Sequence, residues 1–184
     1  MNTGIVASRY AKALLKYVQE NGAGNEVYSQ SVVLVAYMHE LPQLKLYVED
    51  SADVSLERKI SLLSSALGHD LDPSLVRFLE LLSQRRRLEL LSRMLVSFIE
   101  QYRRTHNIKV GRLVTAVPMS GLRERLEEIF AEKMSADVHL EEKVDDSLIG
   151  GFVFELDGLR LDASVERQLE RLRSQLVEKN NRIV

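Results

Sequence analysis

The chain has no cysteine and no tryptophan, only three prolines, and no long apolar run. Without cysteine there is no disulfide, no thiolate metal ligand and no cysteine nucleophile. The most apolar stretch, SVVLVAYM from Ser31 to Met38, falls far short of the roughly 20 residues that a membrane-spanning helix needs. No charged segment followed by an apolar core and a cleavage site opens the chain, so no signal peptide is expected. Charge of one sign is also missing. Twenty-five basic residues face 27 acidic ones, the net charge is −2 and the pI is near 6.1. That balance argues against a protein that grips nucleic acid by bulk charge. What is present is ordinary globular material, 45% hydrophobic and 28% charged over 184 residues. The expectation is a soluble protein whose link to any membrane runs through a partner.

The first hundred residues read as helices almost throughout. Ile5 to Glu20 has helical periodicity and stops at NGAGN. Asn25 is placed to cap a second helix reaching about His39, and Pro42 ends it or opens a short third segment through Val48. Ser55 starts a fourth, where Leu56, Ile60, Leu63 and Leu67 recur at helical spacing and Gly68 closes the end. Asp72 and Pro73 form an N-cap and first-turn pair for a fifth. A sixth covers about Leu88 to Thr105, with Leu91, Met94, Leu95, Phe98 and Tyr102 facing inward. Short connections between six helices predict a bundle.

Beyond a boundary near Thr105 to Ile108 the pattern changes. IKVGRLVTAV, Ile108 to Val117, is rich in β-formers and ends at Pro118. Ser120 is placed to cap a helix with apolar positions Leu122, Leu126, Ile129, Phe130 and Met134. Asp137 to Val144 alternates loosely as a strand. Phe152, Phe154 and Leu156 alternate more clearly, Asp157-Gly158 is a strong two-residue hairpin signal, and Leu159 and Leu161 make the return strand. Val165, Leu169, Leu172 and Leu176 form one stripe of a final helix capped by Ser164. The fold class is therefore α plus α/β: a six-helix bundle, residues 1–106, then a small α/β domain with a β-hairpin, residues 107–184.

Candidate chemistry is sparse. Gly150-Gly151 invites a phosphate-loop reading, but such a loop needs a strand before it and a helix directly after it. Here the glycines lead into a strand, and a glycine-permitted bend explains them better. His39, His69, His106 and His139 have no spacing that puts two on one helix face as metal ligands. Asp145, Asp146, Asp157 and Asp162 lack the pattern of a calcium loop. Asp157 suits the turn, and Asp162 the approach to a helix N-terminus. Arg85, Arg86 and Arg87, like Arg103 and Arg104, read as solvated helix ends. No enzyme signature, metal site or cofactor site survives.

The first helix is more informative. Arg9, Lys12, Lys16 and Glu20 crowd a narrow polar arc, while apolar residues fill the remaining arc of roughly 200°, wider than one core-facing stripe needs. Two explanations stay open. The helix is packed by neighbours on both sides, or its small-residue side of Ala7, Ala11, Leu15 and Val18 lines a groove for a partner's amphipathic helix.

Several stretches together resemble a known family. ASRYAKALLKYVQENG, FLELLSQRRRLELL, VTAVPMS and DDSLIGGFVFELDGLRLDASVERQLERLRSQL are similar, in order and spacing, to the delta subunit of F-type ATP synthase, whose mitochondrial counterpart is the oligomycin-sensitivity-conferring protein. Asp146 stands where that family usually has Pro, Arg77 where Asn is frequent, and Ala163 where Gly often precedes Ser. The resemblance implies a non-catalytic stator subunit without cofactor. Its helical domain would bind the N-terminal helix of an alpha subunit on the catalytic head, and its second domain the peripheral-stalk b subunits. It also implies a place at the cytoplasmic face of a bacterial inner membrane, held there only by the complex. On that reading the expected contacts for the alpha-subunit helix are Ala7, Ala11, Leu15 and Val18, with Val76 and Leu79 from the fifth helix. The alternative, resting on the arginine cluster and the α/β tail, is a free-standing nucleic-acid-binding or regulatory protein.

Overall fold

The computed structural model describes residues 3–50, 53–119 and 121–181, with side chains through residue 174. The chain divides into two compact units, Met1–Thr105 and His106–Val184.

The first unit is helical. Its elements are α1 (Thr3–Glu20), α2 (Gly24–Glu40), α3 (Pro42–Glu49), α4 (Leu56–Leu67), α5 (Pro73–Gln84), a 3-10 turn (Leu88–Leu90) and α6 (Leu91–Thr105). Capping chemistry explains several boundaries. The Ser55 side chain accepts the Arg58 amide, Gly68 closes α4 in the left-handed conformation, and Asp72 accepts the Ser74 amide beside Pro73. Asn25, expected as a cap, is not one. The helix starts one residue earlier at Gly24, and the Asn25 side chain instead accepts a 2.6 Å hydrogen bond from the Tyr102 hydroxyl at the far end of α6.

The core of this unit is where α6 lies. Leu91, Met94, Leu95, Phe98 and Tyr102 are all buried, as their helical spacing predicts. α1 packs broadly along α6 and α2 packs on it as well, whereas α1 meets α5 more sparsely. Three polar side chains lock the helices in register. Glu49, nearly buried, accepts the Ser92 amide at 2.7 Å, so the end of α3 caps the start of α6. Lys59 is 5% exposed and gives its ammonium to the Val48 carbonyl at 2.9 Å, satisfying an orphan acceptor in the last turn of α3. Burial lowers the Lys59 pKa, with nearby Asp50 opposing the shift. Buried Gln30 on α2 bonds the Asp70 carbonyl and the Asp72 amide, which fixes the loop that leads into α5.

The second unit is a four-stranded mixed sheet with one helix packed on it. Its elements are β1 (Ile108–Thr115), α7 (Leu122–Met134), β2 (Asp137–Val144), β3 (Phe152–Leu156), β4 (Leu159–Asp162) and α8 (Val165–Asn181). The strand order is β2-β1-β3-β4, with β1 and β2 parallel and the other pairs antiparallel. Register places Leu113 opposite Phe154. Leu113, Val138, Leu140, Phe154 and Leu156 form the core, against which Leu122, Leu126, Phe130 and Met134 of α7 pack. Phe130 stacks on Phe154 with centroids 4.4 Å apart. Ile129, another of the apolar positions of α7, is 48% exposed. The apolar arc of α7 is wider than the strip that reaches the sheet, and Ile129 lies outside that strip. The Ser120 cap lies outside the described residues; the helix begins after Gly121, in the left-handed conformation.

Asp157 and Gly158 take positive φ of 49° and 83°, and Leu156 pairs directly with Leu159, so the expected two-residue hairpin is present. The glycine pair is likewise a piece of architecture. The Gly150 carbonyl accepts the Val165 amide, and the Gly151 carbonyl accepts the Ala116 amide. Gly151 has φ of 80°, and a Cβ there would collide with the Ala163 carbonyl oxygen. The bend before β3 is thereby tied to both the end of β1 and the start of α8.

Candidate partner-binding groove

The first helix resolves into two apolar sides. Ala7, Ala11, Leu14, Leu15 and Val18 are buried, whereas Ala13 is exposed and Tyr10 and Tyr17 are half-buried. The small-residue side nominated from sequence is therefore packed inside the unit, where short side chains suit close approach of another helix. Of the α5 candidates, Leu79 is buried and Val76 half-buried. Apart from half-buried Val76, the nominated residues are buried within the unit.

An open apolar groove lies on the other side of α1. Ala13, Leu14 and Tyr17 from α1 face Ser74, Arg77, Phe78 and Leu81 from α5 across a volume of about 290 Å3. Leu14 and Phe78 are buried and form its floor, and Leu81, 39% exposed, forms part of a wall. Almost no polar surface lines it beyond the rim. Both ends of α5 are held. Gln30 fixes the loop before it, and just beyond its C-terminal end Arg87 sits over the Tyr10 ring at 5.3 Å. One direct bond crosses the groove, from the Arg77 guanidinium to the Tyr17 hydroxyl at 3.2 Å.

The sequence signal for this groove was available in part. The arc on α1 was too wide for one stripe, and LVRFLELL on α5 is apolar at six of its eight positions. Periodicity could not say which side α6 covers, since that depends on residues some 80 positions away.

In the second unit, α8 carries an exposed apolar stripe among its described residues. Leu169 and Leu172 are 54% and 55% exposed and lie on one stripe with Val165; Leu176, also assigned to it, lies outside the residues with described side chains. Leu159 and Leu161 on β4 are also exposed. The helix start is well built: the Ser164 hydroxyl accepts the Arg167 amide, as expected of a cap, and Asp162 accepts both the Ser164 hydroxyl and amide. Those bonds hold the Asp162 carboxyl below its usual range.

The profile of the ATP synthase delta (OSCP) subunit family matches residues 6–176, nearly the whole chain. The chain belongs to this family. Curated ATP synthase delta subunits agree with that membership. The one from Phocaeicola vulgatus is 37% identical and that from Bacteroides fragilis 38%, with all of this chain and all of each relative covered. A delta subunit from Prochlorococcus marinus is 30% identical, over 91% of this chain and 93% of its own length. Among solved structures, a chain of the Toxoplasma gondii mitochondrial ATP synthase hexamer superposes with a TM-score of 0.62 at 25% identity, covering 93% of this chain and 97% of that one. Among the described residues of this delta-family chain, the α1–α5 groove and the α8 stripe are apolar surfaces open to solvent. None of its described helices is long and apolar enough to cross a membrane.

Proposed function

We propose that this ATP synthase delta-family subunit is a static joint of the stator. The six helices of its first unit form a bundle that receives the N-terminal helix of an alpha subunit in the α1–α5 groove. The second unit meets the C-terminal ends of peripheral-stalk b subunits through the exposed stripe of α8. The groove is the observation that carries this reading. It is apolar, open, floored by Leu14 and Phe78, and its walls are fixed at both ends of α5. An amphipathic helix laid in such a groove gains its affinity from a few well-packed anchors rather than from total area.

The mechanics follow from where the torque goes. A turning rotor would carry the catalytic head with it unless a stalk held the head in place. The subunit that links them performs no chemistry and must not let go at either end. In a bacterial cell the joint would stand on the cytoplasmic side of the inner membrane, reaching the membrane only through the stalk. Membranes stripped of this subunit provide the test. They should keep ATP hydrolysis on the released head yet lose ATP-driven proton pumping, and the purified chain should restore pumping. Restoration by a chain carrying Ala13→Arg, folded but with its groove blocked, would overturn the assignment of the groove.

A further inference from the structure

Arg77 stands at the mouth of the groove with its guanidinium exposed and bonded only to a neutral phenol. Among the described residues no carboxylate lies within ion-pair distance of it; Glu80, the one acid on α5, acts on it only through space. Across the groove the polar edge of α1 carries Arg9, Lys12 and Lys16 against Glu20, which Lys16 approaches at 3.8 Å. An apolar floor is thus framed by a surplus of cations. We propose that Arg77 selects the occupant of the groove by taking a carboxylate on the incoming amphipathic helix, so that the partner is a helix with an acidic residue beside its apolar face. This rests on the groove being the docking site argued above.

The physical reason is the change of surroundings on docking. In the free protein the guanidinium is in water, where pairing it with a carboxylate gains little. A helix seated on Leu14 and Phe78 excludes that water and leaves Arg77 at the edge of an apolar contact. An unpaired cation is costly there, whereas a planar, two-pronged ion pair is strong. The Tyr17 hydroxyl is a placeholder. It holds the arginine over the groove until a better acceptor arrives, which reduces the side-chain order lost on binding.

The test is titration calorimetry of the full chain with a peptide of the cognate alpha subunit's N-terminal helix, at low and high salt. Arg77→Gln should keep its melting temperature, weaken binding about ten-fold or more, and flatten the salt dependence. Replacing the peptide's acidic residues one at a time by their amides should identify one whose loss costs nothing further in the Arg77→Gln background. Tyr17→Phe separates selection from scaffolding: it should weaken binding far less than Arg77→Gln and keep the full salt dependence, because it loses the pre-ordering bond but not the charge pair. If Tyr17→Phe weakens binding as much as Arg77→Gln, Arg77 acts as a clamp on the groove and the proposal fails. Equal binding by wild type and Arg77→Gln at both salts also overturns it while leaving the groove reading intact. No binding to wild type, or full binding to a folded Ala13→Arg variant, removes the groove itself and this inference with it.

Discussion

At the scale of single residues, two glycines distinguish conformational strain from collision. Gly158 has φ of 83° and open space where a Cβ would go. Gly158→Val should therefore cost about 1–2 kcal/mol through the left-handed backbone alone. Gly151 combines a φ of 80° with a carbonyl where a Cβ would sit, so even Gly151→Ala should cost more than Gly158→Val. Chemical denaturation of both variants measures the order, and a reversed order would show that the bend before β3 yields easily. Lys59 makes a pH prediction. Its folded pKa lies below the unfolded value of 10.5, so between the two the unfolded chain binds more protons. Stability contributed by this site should rise with pH across that window, after being lowest where both states are charged. Compared with Lys59→Met, which cannot titrate, the wild type should gain stability as pH rises toward 10.5. A constant difference between the two would mean that folding leaves the Lys59 pKa unshifted.

At the scale of elements, the sequence was most readable where one rule acted alone. Asp72-Pro73, Gly68, Asp157-Gly158 and Ser164 each marked a boundary through local backbone chemistry, and the structure uses all four. Asn25 failed because its side chain found a distant partner in Tyr102, which no local rule includes. Which side of α1 stays open was illegible for a related reason. Both sides of α1 are apolar, and only the packing of α6 decides which is covered. A pair of substitutions on that helix now separates the sides. Ala11 is fully buried, so Ala11→Arg should destabilise the first unit by several kcal/mol, on the order of 3 or more, and prevent a cooperative melt. Ala13 is exposed on the groove, so Ala13→Arg should shift stability by less than about 0.5 kcal/mol while abolishing partner binding. On α8, Leu169→Glu with Leu172→Glu should behave like Ala13→Arg, leaving the fold intact and removing stalk binding. Loss of folding in the α8 variant would mean that the stripe is already covered within the chain.

At the scale of the whole molecule, the division into two units makes the proposed joint separable. Each unit holds its own buried core, α6 and its neighbours in the first and the α7-covered sheet in the second. A fragment of residues 1–105 should therefore give a helical spectrum and one cooperative melt, because its apolar stripes close on one another without the rest of the chain. The same fragment should bind the alpha-subunit peptide as tightly as the full chain, since every groove residue lies within it. It should nevertheless fail to restore proton pumping to stripped membranes. In excess, it should block restoration by the full chain, because it occupies the head and offers nothing to the stalk. Binding without coupling is the signature of a two-ended mechanical link. A fragment that restores pumping would place the stalk contact in the first unit and leave the exposed α8 stripe without its proposed role.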